Sequence, residues 1–122
     1  MRLGMKTVGL VGATGLVGQA ILQVLAQRTF PVGALRLWAS SRSRGRQIRF
    51  GRRVYPVTVL REPDFNGCDF VFFAGTEGEK GASVRFAPRA VRAGAVVIDN
   101  GADFRMDPKV PLVVPEVNPC DA

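Results

Sequence analysis

The stretch Val8-Gly9-Leu10-Val11-Gly12-Ala13-Thr14-Gly15-Leu16-Val17-Gly18 decides how this chain is read. Val8, Leu10 and Val11 make a short apolar strand, glycine recurs every third residue from Gly9 to Gly18, and a helical pattern starts directly afterwards. Glycine has no Cβ and accepts positive φ, so Gly12 and Gly15 let the backbone turn sharply and come close to a bound group. The first amides of the following helix carry partial positive charge, which favours an anion such as a pyrophosphate over the turn. That is the physics of a dinucleotide-binding strand-turn-helix. A glycine-rich turn can also be purely structural, and the flanking chain has to separate the two.

The 122 residues, 47% of them hydrophobic, suffice for one modest domain with a core and are too few for two. Seventeen basic against ten acidic side chains give a net charge of +7, and there is no histidine. Imidazole acid–base chemistry and most transition-metal sites therefore drop out, and no metal is expected. Cys68 and Cys120 stand far apart and in no CxxC arrangement, which suggests neither a zinc site nor a disulfide framework. Both are expected as reduced thiols in a cytoplasmic protein. No apolar run approaches the roughly 20 residues that span a bilayer, and residues 1–7 lack the apolar segment of a signal peptide.

Taken in order, Thr7–Val11 reads as a buried strand and Leu16–Gln27 as a helix with Val17, Ile21, Val24 and Leu25 on one face. Pro31 and Gly33 close that unit, and Leu35–Ala39 is a second strand ending in the polar turn Ser40-Ser41-Arg42-Ser43. Ile48–Val59 is a hairpin around Gly51-Arg52, with Pro56 demoting part of it to an edge. After a loop at Phe65-Asn66-Gly67, the run Cys68–Gly75 is a strongly apolar strand, and residues 76–82 form a charged glycine-rich loop. Ser83–Ala93 is helical, with Pro88 kinking it or marking the first turn of its continuous part, and Gly94 fits a C-cap. Ala95–Asp99 and Leu112–Val114 complete the strands. The alternation predicts an α/β fold: a mostly parallel sheet with right-handed crossovers and helices on both faces. Near-continuous apolar strands such as Phe70–Phe73 support it, because parallel strands are buried on both sides.

The end of the second strand supplies the choice of cofactor. In a dinucleotide fold this turn approaches the adenine ribose, where an acidic residue would hydrogen-bond the 2′-hydroxyl of NAD. Here Ser40, Ser41, Arg42 and Ser43 offer hydroxyls and a guanidinium, which suit a 2′-phosphate and favour NADP. Arg44, Arg46, Arg49, Arg52 and Arg53 continue the basic run. One phosphate needs only one or two arginines, so a solvated basic face accounts for those from Arg44 onward. A nucleic-acid surface is the other reading of that charge. The stretch has few aromatics to stack on bases and no recognition helix, so no nucleic-acid partner is expected.

Together the residues carry a family resemblance. The segments GATGLVG, ASSRSRG, FVFFAG and FAPRAVRAG, and above all VVIDNGADFRMDPKVPLVVPEVNP, resemble the amino-terminal domain of the aspartate-β-semialdehyde dehydrogenase family, in collinear order over nearly the whole chain. The resemblance implies a Rossmann-like NADP-binding domain spanning residues 1–122, without the catalytic and dimerisation domain. It implies an NADP-dependent enzyme on the route to lysine, methionine and threonine, cytoplasmic and homo-oligomeric when intact, with no membrane partner. In that family a cysteine thiolate attacks β-aspartyl phosphate to give a thioester, and hydride from NADPH releases the semialdehyde.

By the same resemblance Thr14, Gly15, Leu16 and Val17 would hold the pyrophosphate, Ser40, Arg42 and Ser43 the 2′-phosphate, and Ala74 and Gly75 would lie along the cofactor; the turn and corner read above add Gly12 and Ser41 to the cofactor-binding residues. Arg105 with Asn100 would bind the substrate phosphate; a structural ion pair from Arg105 to Asp103 or Asp107 is the alternative. N-acetyl-γ-glutamyl-phosphate reductase is a sibling family that ADFR also fits, and PLVVPEVN argues against it. A non-catalytic Rossmann sensor would share the glycines. The family's nucleophilic cysteine lies in an Asn-Cys-Ser/Thr-type motif beyond the PEVN segment, and Cys120 lacks those flanks. No catalytic residue is therefore assigned, and these residues alone are expected to bind cofactor without turnover. Cys68 reads as a small buried hydrophobe, and the 76–82 loop is longer than the family's usual turn.

Overall fold

Strand β1 (Lys6–Val11) sits inside the sheet because its neighbours on both sides run parallel to it and match its alternation. The computed structural model describes residues 4–74, 81–101, 107–111, 113, 117 and 120. Gly75, Asp103 and Arg105 lie outside the described residues, as do most of the 76–82 loop and both ends of the expected Leu112–Val114 strand.

After β1 come α1 (Leu16–Gln27), β2 (Val32–Ala39), a 3₁₀ turn at Ser41–Ser43, β3 (Gln47–Phe50) and β4 (Arg53–Val59). Then follow β5 (Phe70–Phe73), α2 (Ala82–Arg92) and β6 (Val96–Asp99). The six strands lie in the order β3-β4-β2-β1-β5-β6, and only the β3–β4 hairpin is antiparallel. The chain moves from β1 outward to one side, then returns to β1's other side for β5. That reversal places the open crevice of the fold beyond the carboxyl ends of β1 and β5.

Each sheet face has its own core. Val8, Leu10, Leu35 and Leu37 pack with Leu22 and Leu25 of α1. Val11, Trp38, Val71 and Phe73 pack with Phe86, Ala87 and Ala90 of α2 on the other side. Gly9 makes room for the indole: a Cβ there would stand 2.9 Å from Trp38 Cζ3. Cys68 is buried in the α2-side core, as the sequence suggests, and burial pushes its thiol pKa up, with the Arg36 charge opposing.

Four local expectations change. Gly33 does not close the first unit but lies within β2, where the register steps from Lys6–Val32 to Thr7–Ala34, so Gly33 is the extra residue of a bulge. A side chain there would meet Met5 Cβ at 2.7 Å, which is why glycine occupies the position. The buried face of α1 is Gly18, Leu22 and Leu25 with Ile21 beside it, whereas Val17 and Val24 are 38% and 51% exposed. Pro56 pairs with Gln47 just before β4 joins β2 at Val57, so the true edge is β3. Pro88 sits exposed inside one helix, and α2 ends in a Schellman motif: Gly94 at φ +95° donates to Val91 O, and Ala95 N donates to Ala90 O.

Candidate cofactor site

The turn after β1 is fastened from below. Gly12 N and Ala13 N both donate to the Trp38 carbonyl, at 2.9 and 3.0 Å, and Gly15 N donates to Gly12 O at 3.3 Å. Gly12 takes φ +89°, a conformation glycine accepts without strain. Gln19 Nε2 donates to Ala13 O at 3.1 Å, a brace the sequence did not single out because its target is a backbone carbonyl.

These bonds engage the amides of Gly12, Ala13 and Gly15 as donors. Among the described residues, the amides of Thr14, Leu16, Val17 and Gly18 have no backbone acceptor, and the first helical bond runs from Gln19 N to Gly15 O at 3.0 Å. Gly15 caps α1 in extended conformation with no side-chain cap and no acid in the first turn. An uncapped helix start with several amides lacking backbone acceptors is a site for an anion. Gly18 brings α1 hard against the turn, since a Cβ there would lie 2.2 Å from Gly12 O. Leu16 is 86% exposed beside the mouth.

The second half of the site follows β2. Ser43 N donates to Ser40 O and Arg44 N to Ser41 O, closing the 3₁₀ turn. Ser41 and Arg42 are exposed and Ser40 is half-buried. Among the described residues the one salt bridge joins Arg89 to Glu62, so Arg42, Arg44, Arg46, Arg49, Arg52 and Arg53 have no acidic partner there. Ser43 differs from its neighbours: it is only 8% exposed, and its Oγ lies 2.8 Å from Thr14 Oγ1. The two turns expected to read pyrophosphate and 2′-phosphate are thus joined side chain to side chain.

Ala74 and Asn100 lie along the same sheet edge. Ala74 is buried and donates its amide to Val11 O at 2.9 Å; Asn100 is exposed and donates its amide to Phe73 O at 2.8 Å. Beside them Asp99 Oδ1 accepts from Gly101 N at 2.8 Å, an Asx turn that the Asp-Asn-Gly run could have signalled. Asp99 Oδ2 is buried without a hydrogen-bond partner among the described residues. Amides without backbone acceptors, an uncapped helix start and an adjacent arginine with no acidic partner among the described residues fit a phosphorylated dinucleotide in charge. No cluster of three or more His, Cys, Asp or Glu that could hold a metal occurs among the described residues, and none of their helices is long and apolar enough to cross a membrane.

The family model described as semialdehyde dehydrogenase, NAD binding domain, matches residues 7–122. The chain belongs to that family. The description makes a nicotinamide dinucleotide the cofactor class of the fold. Among its relatives, the aspartate-semialdehyde dehydrogenase of Aquifex aeolicus is 48% identical over 115 residues, 93% of this chain and 33% of that protein. The crystal structure of aspartate semialdehyde dehydrogenase II from Vibrio cholerae superposes with a TM-score of 0.88 at 43% identity, covering 97% of this chain and 34% of that one. The Candida albicans aspartate semialdehyde dehydrogenase with NADP superposes at 0.69 and 31% identity, covering 97% of this chain and 36% of that one. The chain therefore spans about a third of the length of the relatives it matches.

Proposed function

We propose that this chain is the NADP-binding domain of an aspartate-semialdehyde dehydrogenase. The observation that carries the reading is the pairing of an uncapped α1 amino terminus, whose first amides lack backbone acceptors among the described residues, with a serine-arginine corner that carries no acid. Thr14, Leu16 and Val17 hold the pyrophosphate through backbone amides, Gly12 and Gly15, whose own amides are bonded within the protein, let the turn come close to it, and Ser40, Ser41 and Arg42 hold the 2′-phosphate, with Ala74 and Gly75 along the nicotinamide half. When bound, the nicotinamide supplies or accepts hydride. Asn100, at the carboxyl end of β6, and Arg105 beyond it bind the substrate phosphate in the intact enzyme, where open α/β sheets receive their ligands.

The whole-protein activity that goes with this reading is reductive dephosphorylation of β-aspartyl phosphate, in a cytoplasmic homo-oligomer of the lysine, methionine and threonine route. The names of the relatives support it over the N-acetyl-γ-glutamyl-phosphate reductase alternative.

Titration calorimetry with NADP+ and NAD+ tests the cofactor assignment. Tighter binding of NADP+ is expected. Arg42→Gln is expected to lower NADP+ affinity about tenfold, the scale of one charge-assisted hydrogen bond, and to leave NAD+ nearly unchanged. Equal affinities in the natural protein, or an Arg42→Gln loss shared by both dinucleotides, would overturn the assignment.

A further inference from the structure

We infer that Ser43 is a positioning residue: its buried hydroxyl sets the Thr14 hydroxyl, and with it the pyrophosphate turn, so that the corner after β2 and the turn after β1 work as one unit. The inference rests on the cofactor reading above and gives Ser43 a different task from Ser40, Ser41 and Arg42.

Three observations lead to it. Ser43 and Ser83 are the buried polar side chains among the described residues, and a buried hydroxyl requires a partner. For Ser43 that partner is Thr14 Oγ1 at 2.8 Å, 29 residues away in sequence. The Ser43 side is held rigidly, since Ser43 N is bonded to Ser40 O and Ser43 O accepts from Arg46 N. The Thr14 side is not: Gly12, Ala13 and Gly15 are tied through their amides, while the Thr14 amide has no backbone acceptor among the described residues. Ser43 thus holds the residue of the turn that the backbone leaves loose.

Either hydroxyl can be the donor, and we assign the shared proton to Ser43 because it is the more buried of the two. Each hydroxyl has one proton to donate. If Ser43 spends its proton on Thr14, the half-buried Thr14 keeps its own for a phosphate oxygen. Ser43, with almost no exposed surface, is then spoken for and acts on the cofactor through Thr14.

The test is a double-mutant cycle in the full chain, titrated with NADP+ and with NAD+, with thermal unfolding followed alongside. Ser43→Ala is expected to weaken both dinucleotides by a similar factor, roughly 2- to 10-fold for one net hydrogen bond. Ser43→Thr, which keeps the hydroxyl, is expected to restore binding. Thr14→Val combined with Ser43→Ala is expected to lose no more than Thr14→Val alone.

A Ser43→Ala loss confined to NADP+ would make Ser43 a direct 2′-phosphate donor and overturn the inference while leaving the cofactor reading intact. Additive losses in the double variant would overturn it too, as would a lower unfolding temperature with unchanged affinities. Failure of the natural protein to bind either dinucleotide would overturn the cofactor reading and this inference together.

Discussion

Replacing Gly18 with alanine sets two physical expectations against each other. In an exposed helix interior the change stabilises by roughly 1 kcal/mol, because alanine surrenders less backbone freedom than glycine. At this position, however, a Cβ would stand 2.2 Å from Gly12 O and 3.0 Å from both Gly12 C and Ala13 Cα. All three are backbone atoms of the turn, so no side chain can rotate out of the way. A carbon–oxygen contact settles at about 3.3 Å or more, so the first turn of α1 must withdraw by about 1 Å. Overpacking of this kind costs about 1–3 kcal/mol. The upper part of that range applies where backbone must give, and after the propensity gain a net loss of about 1–2 kcal/mol remains. For a domain of this size that lowers Tm by roughly 4–12 °C. The withdrawal also carries the Leu16 and Val17 amides away from the proposed pyrophosphate site, so on the cofactor reading proposed above NADP+ affinity is expected to fall with stability. Gly15→Ala is the matched comparison: Gly15 has φ −79°, and a Cβ there would lie an ordinary 3.7 Å from Gly12 O. Its cost in stability is that of a poorer N-cap, at most about 1 kcal/mol, while its methyl stands where the pyrophosphate must approach. Thermal unfolding by far-UV circular dichroism and NADP+ titration of the two variants decide the matter. A Gly18→Ala protein as stable as the natural one, or more so, would refute the close-packing argument.

Two further outcomes are open to measurement. Gly9→Ala would place a methyl 2.9 Å from Trp38 Cζ3 and 3.3 Å from Val71 Cγ2, so the one tryptophan of the chain must tilt; a changed near-UV dichroism and a loss of about 1–3 kcal/mol are expected, and an unchanged spectrum would contradict the packing. Cys68 is buried with its thiol pKa raised by that burial, whereas Cys120 is exposed, so a thiol reagent at mildly alkaline pH is expected to label one cysteine in the folded protein and two in denaturant. The sign of the linked pH effect follows: the folded state keeps its proton to higher pH than the unfolded one, so this stability contribution is complete below the ordinary thiol pKa and declines above it. Urea midpoints of the natural protein and Cys68→Ala across that range would show it, and parallel pH profiles would refute it.

Much of the architecture was legible because two periodicities are strong in this sequence. The helix expected at Leu16–Gln27 has those bounds in the structure, and the glycine after the second helix ends it through a Schellman motif. The face that α1 buries was legible at Ile21 and Leu25 but not at Val17 and Val24. Counting apolar residues favoured Val17 and Val24, but the helix turns its smallest residue, Gly18, to the sheet because the turn's carbonyl stands there. A pattern of hydrophobicity scores side chains, and here backbone contact decides the rotation. The contact that Ser43 makes was hidden for a related reason. In sequence Ser43 is one of three serines around Arg42, and its neighbours gave no sign that its hydroxyl turns inward to a residue 29 positions earlier. Gln19 and the Trp38 carbonyl escaped notice because they serve backbone atoms, for which residue type carries little information.

What brings the two turns together is the register of β1 on β2, and that register is set at the far end of the strands. Lys6 is level with Val32, and the bulge at Gly33 makes Thr7 level with Ala34, so that Val11 comes level with Trp38. Without the extra residue Leu10 would lie beside Arg36 and Val11 beside Leu37, mixing the residues that face α1 with those that face α2. A slip of one residue exchanges the two faces of a strand, so both cores would be broken at once. With the bulge, the Trp38 carbonyl arrives under Gly12 and Ala13 while its indole goes to the α2 side, over the space Gly9 leaves. Two residues later the chain is at Ser40, beside the glycine turn. Thr14 and Ser43 therefore meet at 2.8 Å as a consequence of strand pairing begun at the opposite edge of the sheet. The cofactor corner is as well defined as that pairing, and a side chain at Gly33, meeting Met5 Cβ at 2.7 Å, would be felt there although it lies a full strand length away.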